Sequence, residues 1–224
     1  MSIRTNLCRR MLNRARRGAL PLALAGLLAA PAAALAQPAP AGADAVTAPV
    51  RNLDQALLQA MRAGKSAPFP QRFATLDSAI GQDFDLDLIV QHVVGLQWSQ
   101  LPPAQQQQLL TAYRNYAVAS YASNFDSYSG QSFQVSPQPR ALPNGQEIVQ
   151  TRLVSPGGAP TELDYVMQNV GGHWRVVDVL ADGAISQVAT QRSDFRNLLR
   201  DGTAQRLIAT LQRKVSALSD GALA

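Results

Sequence analysis

The stretch LDYVMQNVGGHWRVVDVLADGAISQVATQRSDFRNLL, residues 163–199, decides how the rest of the chain is arranged. Apolar and polar residues alternate on both sides of Gly171-Gly172, which is typical of two strands joined by a tight turn. One face of the first strand carries Leu163, Tyr165 and Met167. One face of the second strand carries Trp174, Val176, Asp178 and Leu180, and its opposite face carries His173, Arg175, Val177 and Val179. Several of these faces are too apolar for a solvent-exposed sheet, so we expect them to form one wall of an apolar cavity. A helix follows, with its entry at Asp182-Gly183.

The period of two extends upstream from this hairpin to Gly130. Four strands are predicted, at Ser132–Pro137, Glu147–Ser155, Thr161–Asn169 and Gly172–Ala181. They are separated by hairpin signals at residues 143–145, 156–158 and 170–172, each of which contains glycine. Three consecutive hairpins predict a curved, four-stranded antiparallel meander.

Apolar residues at helical spacing lie on both sides of the strands. The predicted helices cover Val50–Met61, Pro70–Ile80, Asp83–Gly95, Pro103–Tyr128 and Ile185–Arg200, and a last one begins after Thr203 as its N-cap. The third is expected to be capped by Asp83 or Asp85. The longest carries a stripe of Leu110, Tyr113, Ala117, Tyr121, Phe125 and Tyr128, which fits either a packed core or a cavity wall. Helices, strands and helices in this order predict an α+β fold with the helices on one face of the sheet.

The first 36 residues have the composition of a secretory signal peptide. They contain six arginines and no acidic residue, followed by an apolar run from Gly18 to Leu35 and a small-residue ending at Ala36. Cleavage is expected after about Ala36, and the Arg9-Arg10 pair leaves both the general secretory and the twin-arginine export routes open. The predicted organisation is a signal peptide at 1–36, a flexible Ala/Pro-rich leader at 37–49 and one domain at 50–219.

Removal of the signal peptide changes the charge of the chain. The full sequence has 20 Lys+Arg and 15 Asp+Glu; without the six arginines, 14 basic residues face 15 acidic ones, a net charge of −1. The basic character therefore belongs to the signal and does not indicate a nucleic-acid partner. The single cysteine, Cys8, is removed too, so no thiol chemistry is expected. We expect no stable membrane insertion after processing.

No sequence motif indicates a catalytic or metal site. His92 and His173 have no other ligand-type residue at a characteristic spacing, so no metal and no cofactor are predicted. The charged strand residues are interpreted as cross-strand ion pairs: Arg152, Asp164, Arg175 and Asp178. In the alternative interpretation, Asp178 lies inside an apolar pocket and acts as a general base, as in ketosteroid-isomerase-like enzymes built on curved sheets.

Several longer segments carry a resemblance to a known family. They are residues 84–98, NFDSYSGQ at 124–131, the LDYVM strand, GGHWRVVDVLADG, and ISQVATQRSDFRNLLRDG. Together they resemble the MlaC/toluene-tolerance family of periplasmic phospholipid-binding proteins, and the last segment is most similar to the hopanoid-associated HpnM branch. The resemblance covers residues 50–219, nearly the whole predicted mature chain.

The resemblance implies both a fold and a function. The implied fold has a sheet related to nuclear-transport-factor-2-like (NTF2-like) domains and a deep apolar cavity for acyl chains. The implied function is non-enzymatic: a periplasmic carrier holds a phospholipid or hopanoid-type lipid and shuttles it between an inner-membrane ABC transporter and outer-membrane components. Bound lipid is then the one expected ligand, and outer-membrane maintenance is the expected role.

The cavity is expected between the meander and the long helix. Its predicted lining is Val93, Trp98, Leu110, Tyr113, Tyr121, Val135, Leu153, Tyr165, Met167, Trp174, Val176, Val179 and Ile185. Two alternatives remain open: an enzyme that acts on a small hydrophobe through Asp178 or His173, and a structural periplasmic interaction module without a cavity. The sequence leaves the headgroup, the number of acyl chains, the direction of transport and the oligomeric state open.

Overall fold

The structure is a computed structural model that describes residues 42–223. Its helices are α1 Ala43–Ala63, α2 Phe69–Asp83, α3 Leu86–Val94, α4 Pro103–Asn124, α5 Gln187–Phe195 and α6 Gln205–Leu218, with 3-10 turns at Gly64–Ser66, Gly95–Gln100 and Arg196–Leu198. The predicted signal peptide, residues 1–36, lies outside the described residues. Helices at both ends enclose an antiparallel sheet, which confirms the predicted α+β fold class.

The sheet consists of seven antiparallel strands. They are β1 Ser132–Val135, β2 Arg140–Ala141, β3 Glu147–Val149, β4 Thr151–Val154, β5 Thr161–Val170, β6 His173–Ala181 and β7 Ile185–Ser186. The four predicted segments pair in the predicted order, because β1 pairs β4, β4 and β3 pair β5, and β5 pairs β6. The predicted strand at 147–155 is interrupted at Gln150: its first half pairs β2 and its second half pairs β1. Strand β7 extends the sheet beyond β6.

The hairpin between β5 and β6 closes through a two-residue loop. Val170 pairs with His173, and the two glycines between them have φ of 60° and 88°. Positive φ at both loop positions is the geometry of a type I′ turn, which glycine adopts without steric cost. The Gly171-Gly172 signal is therefore confirmed as a hairpin turn.

Strand β6 carries a β-bulge at Val177, where its register against β5 shifts by one residue. After the bulge Val179, rather than Asp178, joins Val176 in packing against the main core. Val177 and Leu180 pack in a small second cluster. The predicted common face of Val176, Asp178 and Leu180 is therefore wrong, because one inserted residue reverses the alternation of the side chains that follow.

Helix α1 begins at Ala43, so residues 43–49 of the predicted flexible leader are helical. Ala43, Val46 and Val50 are buried and continue the apolar stripe toward the N-terminus. Pro49 lies inside the helix. The Ala/Pro-rich composition suggested a leader, but burial of this stripe stabilises the additional helical turns.

Two helices on either side of the sheet have different ends from those predicted. Helix α4 ends at Asn124, and the ring of Tyr128, predicted on its stripe, is 42% exposed beneath the Arg62 guanidinium. Helix α5 begins at Gln187, because residues 185–186 form β7 and pair with β6. The predicted entry at Asp182-Gly183 is instead the turn between β6 and β7, and it contains two residues with positive φ.

The caps of α3 and α6 differ in how well the sequence indicated them. The Asp85 carboxylate accepts the Leu88 N–H at 2.9 Å, which confirms one of the two predicted caps of α3. Thr203 does not cap α6; the Gln105 side-chain oxygen accepts the N–H of Ala204, the N-cap residue, at 2.8 Å. Helix α6 has no side-chain cap, and this bond comes from a residue distant in sequence, so local spacing could not indicate it.

One continuous core joins the helices to the concave side of the sheet. Its fully buried large side chains are Leu53, Leu57, Met61, Leu76, Ile80, Leu109, Tyr165, Met167, Leu207 and Leu211. Helices α1 and α2 pack together, and α6 packs along α4. Within residues 42–223, no helix has the length and apolar character needed to cross a membrane.

Candidate functional site

A cavity of about 430 Å³ lies between the sheet and helices α2 to α6. This volume falls in the usual range of small-molecule pockets, roughly 300–1,000 Å³. Its apolar lining consists of Ile80, Phe84, Leu86, Ile89, Ala117, Phe125, Leu163, Val179, Ala181, Val188, Phe195 and Leu198, with Tyr113, Tyr116, Tyr121 and Tyr165. Its polar lining consists of Ser120, Asn124, Asp178, Gln187, Thr190, Gln191, Asp194, Thr210 and Lys214. The cavity is therefore mostly apolar on the side of the sheet and α4, where Ser120, Asn124 and Asp178 are the exceptions, and mostly polar on the side of α5 and α6.

Aromatic rings form two groups of contacts along α4, which together make an aromatic wall of the cavity. The Tyr121 ring stacks on Phe125 at a centroid distance of 5.9 Å and meets Phe84 edge-on at the same distance. Nearer the start of the helix, Tyr116 meets Phe195 of α5 edge-on at 6.4 Å. Offset and edge-to-face pairs of this kind are the favourable arrangements of aromatic rings. The wall is therefore held in place by ring contacts as well as by burial.

Helix α5 covers the cavity with a largely polar surface. Phe195 is its one buried residue, although the helix contributes Gln187, Thr190 and Gln191 to the lining. The Tyr113 hydroxyl of α4 donates a hydrogen bond of 2.6 Å to the Gln191 side-chain oxygen. Burial raises the pKa of Tyr113, so this hydroxyl keeps its proton. The contact holds α5 against the cavity at mid-helix.

The Asp178 side chain holds the start of α5 through hydrogen bonds. Its carboxylate accepts hydrogen bonds from the Ser186 hydroxyl, from the Val188 N–H at 3.1 Å and from the Val179 N–H at 2.7 Å. Ser186 in turn caps the helix by accepting the Ala189 N–H at 2.9 Å. Asp178 therefore lines the cavity, but both of its carboxylate oxygens accept hydrogen bonds that position α5.

The predicted cross-strand ion pairs among Arg152, Asp164, Arg175 and Asp178 do not form in the described part of the chain. Arg152 pairs with Glu162 instead, at 3.6 Å. The Arg175 guanidinium donates to the Phe84 carbonyl at 3.4 Å, because residue 84 is bridged to the adjacent Val176 on β6. Asp164 accepts the Thr151 N–H at 3.4 Å, across the interruption between β3 and β4.

A pair of charged residues lies on the polar side of the cavity. Lys214 of α6 is half-buried, with its Nζ 5.6 Å from the centroid of the Tyr116 ring. Burial lowers the pKa of Lys214, and the negative charge of Asp194 partly offsets this effect. Asp194 is exposed, so the cavity reaches solvent beside α5. No salt bridge within residues 42–223 involves Lys214.

Four of the predicted lining residues line this cavity: Tyr113, Tyr121, Tyr165 and Val179. Eight others pack in the core or at its edge: Val93, Trp98, Leu110, Val135, Leu153, Met167, Trp174 and Val176. Ile185 is 44% exposed on β7. The sequence indicated which helix and strands face inward, but core and cavity positions have the same apolar pattern, so it did not separate them.

Several lining residues were missed. Tyr116 lies three residues after Tyr113 on α4, so the helical spacing could have indicated it. Phe84 follows the end of α2 and reaches the cavity only through the pairing of residue 84 with β6. The polar residues of α5 have no apolar spacing that could indicate a cavity wall.

No cluster that could bind a metal ion occurs among the residues that the structure describes. His92 and His173 are both exposed, and neither lines the cavity. The cavity's ionisable lining within the described chain thus comes from the four tyrosines, the two carboxylates Asp178 and Asp194, and Lys214.

Two comparisons with known proteins bear on this site. The family model described as MlaC protein matches residues 51–213. The fold is also similar to the solved structure of a phospholipid-binding protein from Ralstonia solanacearum in complex with a phospholipid. The TM-score is 0.67 at 22% sequence identity, and the match covers 78% of this chain and 98% of that chain. At this identity the structural likeness shows a shared fold.

Proposed function

Because the chain belongs to the MlaC family, we propose that it is a non-enzymatic carrier that holds the acyl chains of a lipid in the cavity beneath α5. The observation that carries the proposal is the apolar cavity itself, with its aromatic wall along α4. The Ralstonia solanacearum protein of the same fold was solved with a phospholipid, which supports a lipid ligand for this fold.

The energetics of acyl chains explain why a carrier needs such a cavity. Exposing an acyl chain to water costs about 0.8 kcal/mol per methylene group, and an enclosed apolar wall avoids that cost. A bilayer solvates the same chain about equally well, so transfer between membrane and cavity is nearly balanced in free energy. A ligand shifts an equilibrium only through its differential affinity, so the direction of transport has to come from partner proteins.

The proposal includes a location and partners. The signal-like residues 1–36 support export, and a net charge of −1 after their removal would limit adhesion to anionic membrane surfaces. We propose that the mature protein moves through the periplasm between an inner-membrane lipid transporter and outer-membrane components. The cargo is a phospholipid or a hopanoid-type lipid, bound by Tyr113, Tyr121, Tyr165 and Val179 among others.

The interactions of Asp178 favour a carrier over the ketosteroid-isomerase-like alternative. A general base needs an accessible carboxylate oxygen aimed at its substrate. Here the Ser186 hydroxyl and the Val188 N–H occupy the two oxygens and tie them to the start of α5. The exposed His173 lies outside the cavity.

The proposal is tested by identifying what the protein binds in cells. Protein purified after export should carry lipid, detected by native mass spectrometry and identified after extraction; extraction also separates phospholipid from hopanoid-type cargo. Ala117→Trp should reduce the bound lipid about tenfold or more, because its ring would occupy part of a 430 Å³ cavity. Asn115→Trp is the matched control, since residue 115 is exposed on the same helix and should leave the lipid content unchanged.

Two results would contradict the proposal. One is repeated recovery of folded wild-type protein without lipid. The other is equal lipid content in wild type and in a folded Ala117→Trp variant. Unchanged urea denaturation of the variant would establish that a loss of lipid reflects a filled cavity rather than unfolding.

A further inference from the structure

We propose that Lys214 and Asp194 form a headgroup site at the mouth of the cavity, which binds the phosphate and the ammonium group of a zwitterionic phospholipid. The inference rests on the proposed lipid-carrier function and specifies the class of lipid. It follows from the distribution of the lining, which is mostly apolar along the sheet and α4 and places Lys214 and Asp194 on the side of α5 and α6. The acyl chains would contact the sheet and α4, and the headgroup would contact α5 and α6.

Lys214 is a half-buried cation that forms no salt bridge within residues 42–223. The chain contains two lysines, and the other, Lys65, is exposed and 3.5 Å from Asp126. Lys214 packs against the Tyr116 ring. Burial disfavours its charged form. A phosphate oxygen would supply a charge-assisted hydrogen bond at this position.

Asp194 decides which phosphate-containing headgroup fits best. Asp194 and Lys214 line the same cavity and form no salt bridge with each other in the described part of the chain. Burial lowers the pKa of Lys214, and the negative charge of Asp194 partly offsets this lowering. A purely anionic headgroup at Lys214 would be repelled by Asp194. A zwitterionic headgroup would place its phosphate at Lys214 and its ammonium group at Asp194, so that both charges are compensated.

The depths of the two residues match the order of groups in such a lipid. In a phospholipid the phosphate lies next to the glycerol and the acyl chains, and the ammonium group is outermost. Lys214 is half-buried, whereas Asp194 is exposed at the solvent side. The deeper residue therefore carries the charge that complements the phosphate, and the outer residue carries the charge that complements the amine.

The test is a competition among lipids with identical acyl chains. Purified mature protein is incubated with vesicles that contain equal amounts of phosphatidylethanolamine, phosphatidylglycerol and diacylglycerol, and the bound lipids are counted by native mass spectrometry. Wild type should bind phosphatidylethanolamine about fivefold more than phosphatidylglycerol, as expected for one partly exposed ion pair. Asp194→Asn should bring this ratio to about one.

A second variant isolates the phosphate contact. Lys214→Met keeps the aliphatic stem over Tyr116 and should reduce both phospholipids about fivefold relative to diacylglycerol. The matched controls are Lys65→Met and Asp44→Asn, which remove exposed charges that are not part of the cavity lining and should leave the ratios unchanged.

The possible outcomes separate this inference from the proposed function. Equal binding of the two phospholipids by wild type, or a ratio that Asp194→Asn does not change, overturns the headgroup site while the carrier function stands. An equal loss of diacylglycerol in Lys214→Met also overturns it, because the lysine would then act on the cavity and not on the phosphate. Failure of wild type to bind any of the three lipids overturns the proposed function for a phospholipid cargo, and a fourth vesicle set that contains a hopanoid-type lipid then tests the other cargo.

Discussion

The pH dependence of stability should depend strongly on Asp54, which lies in the middle of α1. The residue is 4% exposed, and neither carboxyl oxygen has a hydrogen-bond partner among the described residues. Burial raises the pKa of Asp54 from 3.8 to about 8. The folded protein therefore binds this proton more tightly than the unfolded chain does, and the carboxyl group is neutral near pH 6.

The difference between the pKa of Asp54 in the folded and in the unfolded state sets the direction and the size of the change in stability with pH. The folded state is most favoured below pH 3.8, where both states hold the proton, and it loses stability as the pH rises toward about 8. One pH unit in this window corresponds to about 1.4 kcal/mol. Between pH 5 and pH 7 wild type should lose about 3 kcal/mol from this group, a large part of a typical unfolding free energy of about 5–15 kcal/mol.

The measurement compares wild type with Asp54→Asn, which keeps the shape of the side chain and removes its ionisation. Urea denaturation of both proteins at pH 5, 6 and 7 should show the variant gaining about 3 kcal/mol relative to wild type over this interval. Asp44→Asn is the control, because Asp44 is exposed in the first turn of the same helix. If the difference in unfolding free energy between Asp54→Asn and wild type stays constant within about 0.5 kcal/mol from pH 5 to pH 7, Asp54 is not a buried carboxyl group without hydrogen-bond partners and the prediction is wrong.

Three smaller predictions concern contacts around the cavity. Ser186→Ala should lower the unfolding free energy by about 1–2 kcal/mol in urea denaturation, because α5 loses its cap on the Ala189 N–H. An unchanged unfolding free energy would mean that the Asp178 carboxylate alone is enough to hold the start of α5. Tyr113→Phe should cost about 1 kcal/mol and speed lipid exchange with vesicles, since α5 loses its bond through Gln191; unchanged exchange would exclude this contact as a restraint on α5. Gly171→Ala should cost about 1–2 kcal/mol through its φ of 60°, and thermal denaturation at wild-type temperature would refute the type I′ turn.

The bulge at Val177 explains why the predicted common face of β6 is wrong. A face assigned by strict alternation places Val176 and Asp178 together, and the inserted residue moves Val179 to the inner side instead. The position of a bulge depends on how β5 and β6 pair, and neither strand alone indicates it. The predicted strand at 147–155 is divided into β3 and β4 for a similar reason: β3 pairs with β2 and β4 pairs with β1, and these partners are not evident from the segment itself.

The wall formed by α5 could not be recognised from hydrophobic pattern. Its sequence is polar, with Phe195 as its one buried residue, and polar helices usually face solvent. Here the start of α5 is tied to Asp178 on β6 and its middle to Tyr113 on α4. These bonds join residues from different elements, so the helix covers a cavity although its own spacing does not predict it.

The sequence by itself determined the α+β order and the hairpin at Gly171-Gly172, and it limited the cap of α3 to Asp83 or Asp85, because each depends on residues close together in the chain. Turn glycines, strand alternation and side-chain caps act over a few residues. Only the tertiary structure decided which apolar residues line a cavity and which pack in the core. It also brought Lys214 and Asp194 to the same opening, since that depends on how α5 and α6 pack against α4. Packing of this kind is set by contacts between distant segments, and the local pattern of each segment is compatible with more than one such arrangement.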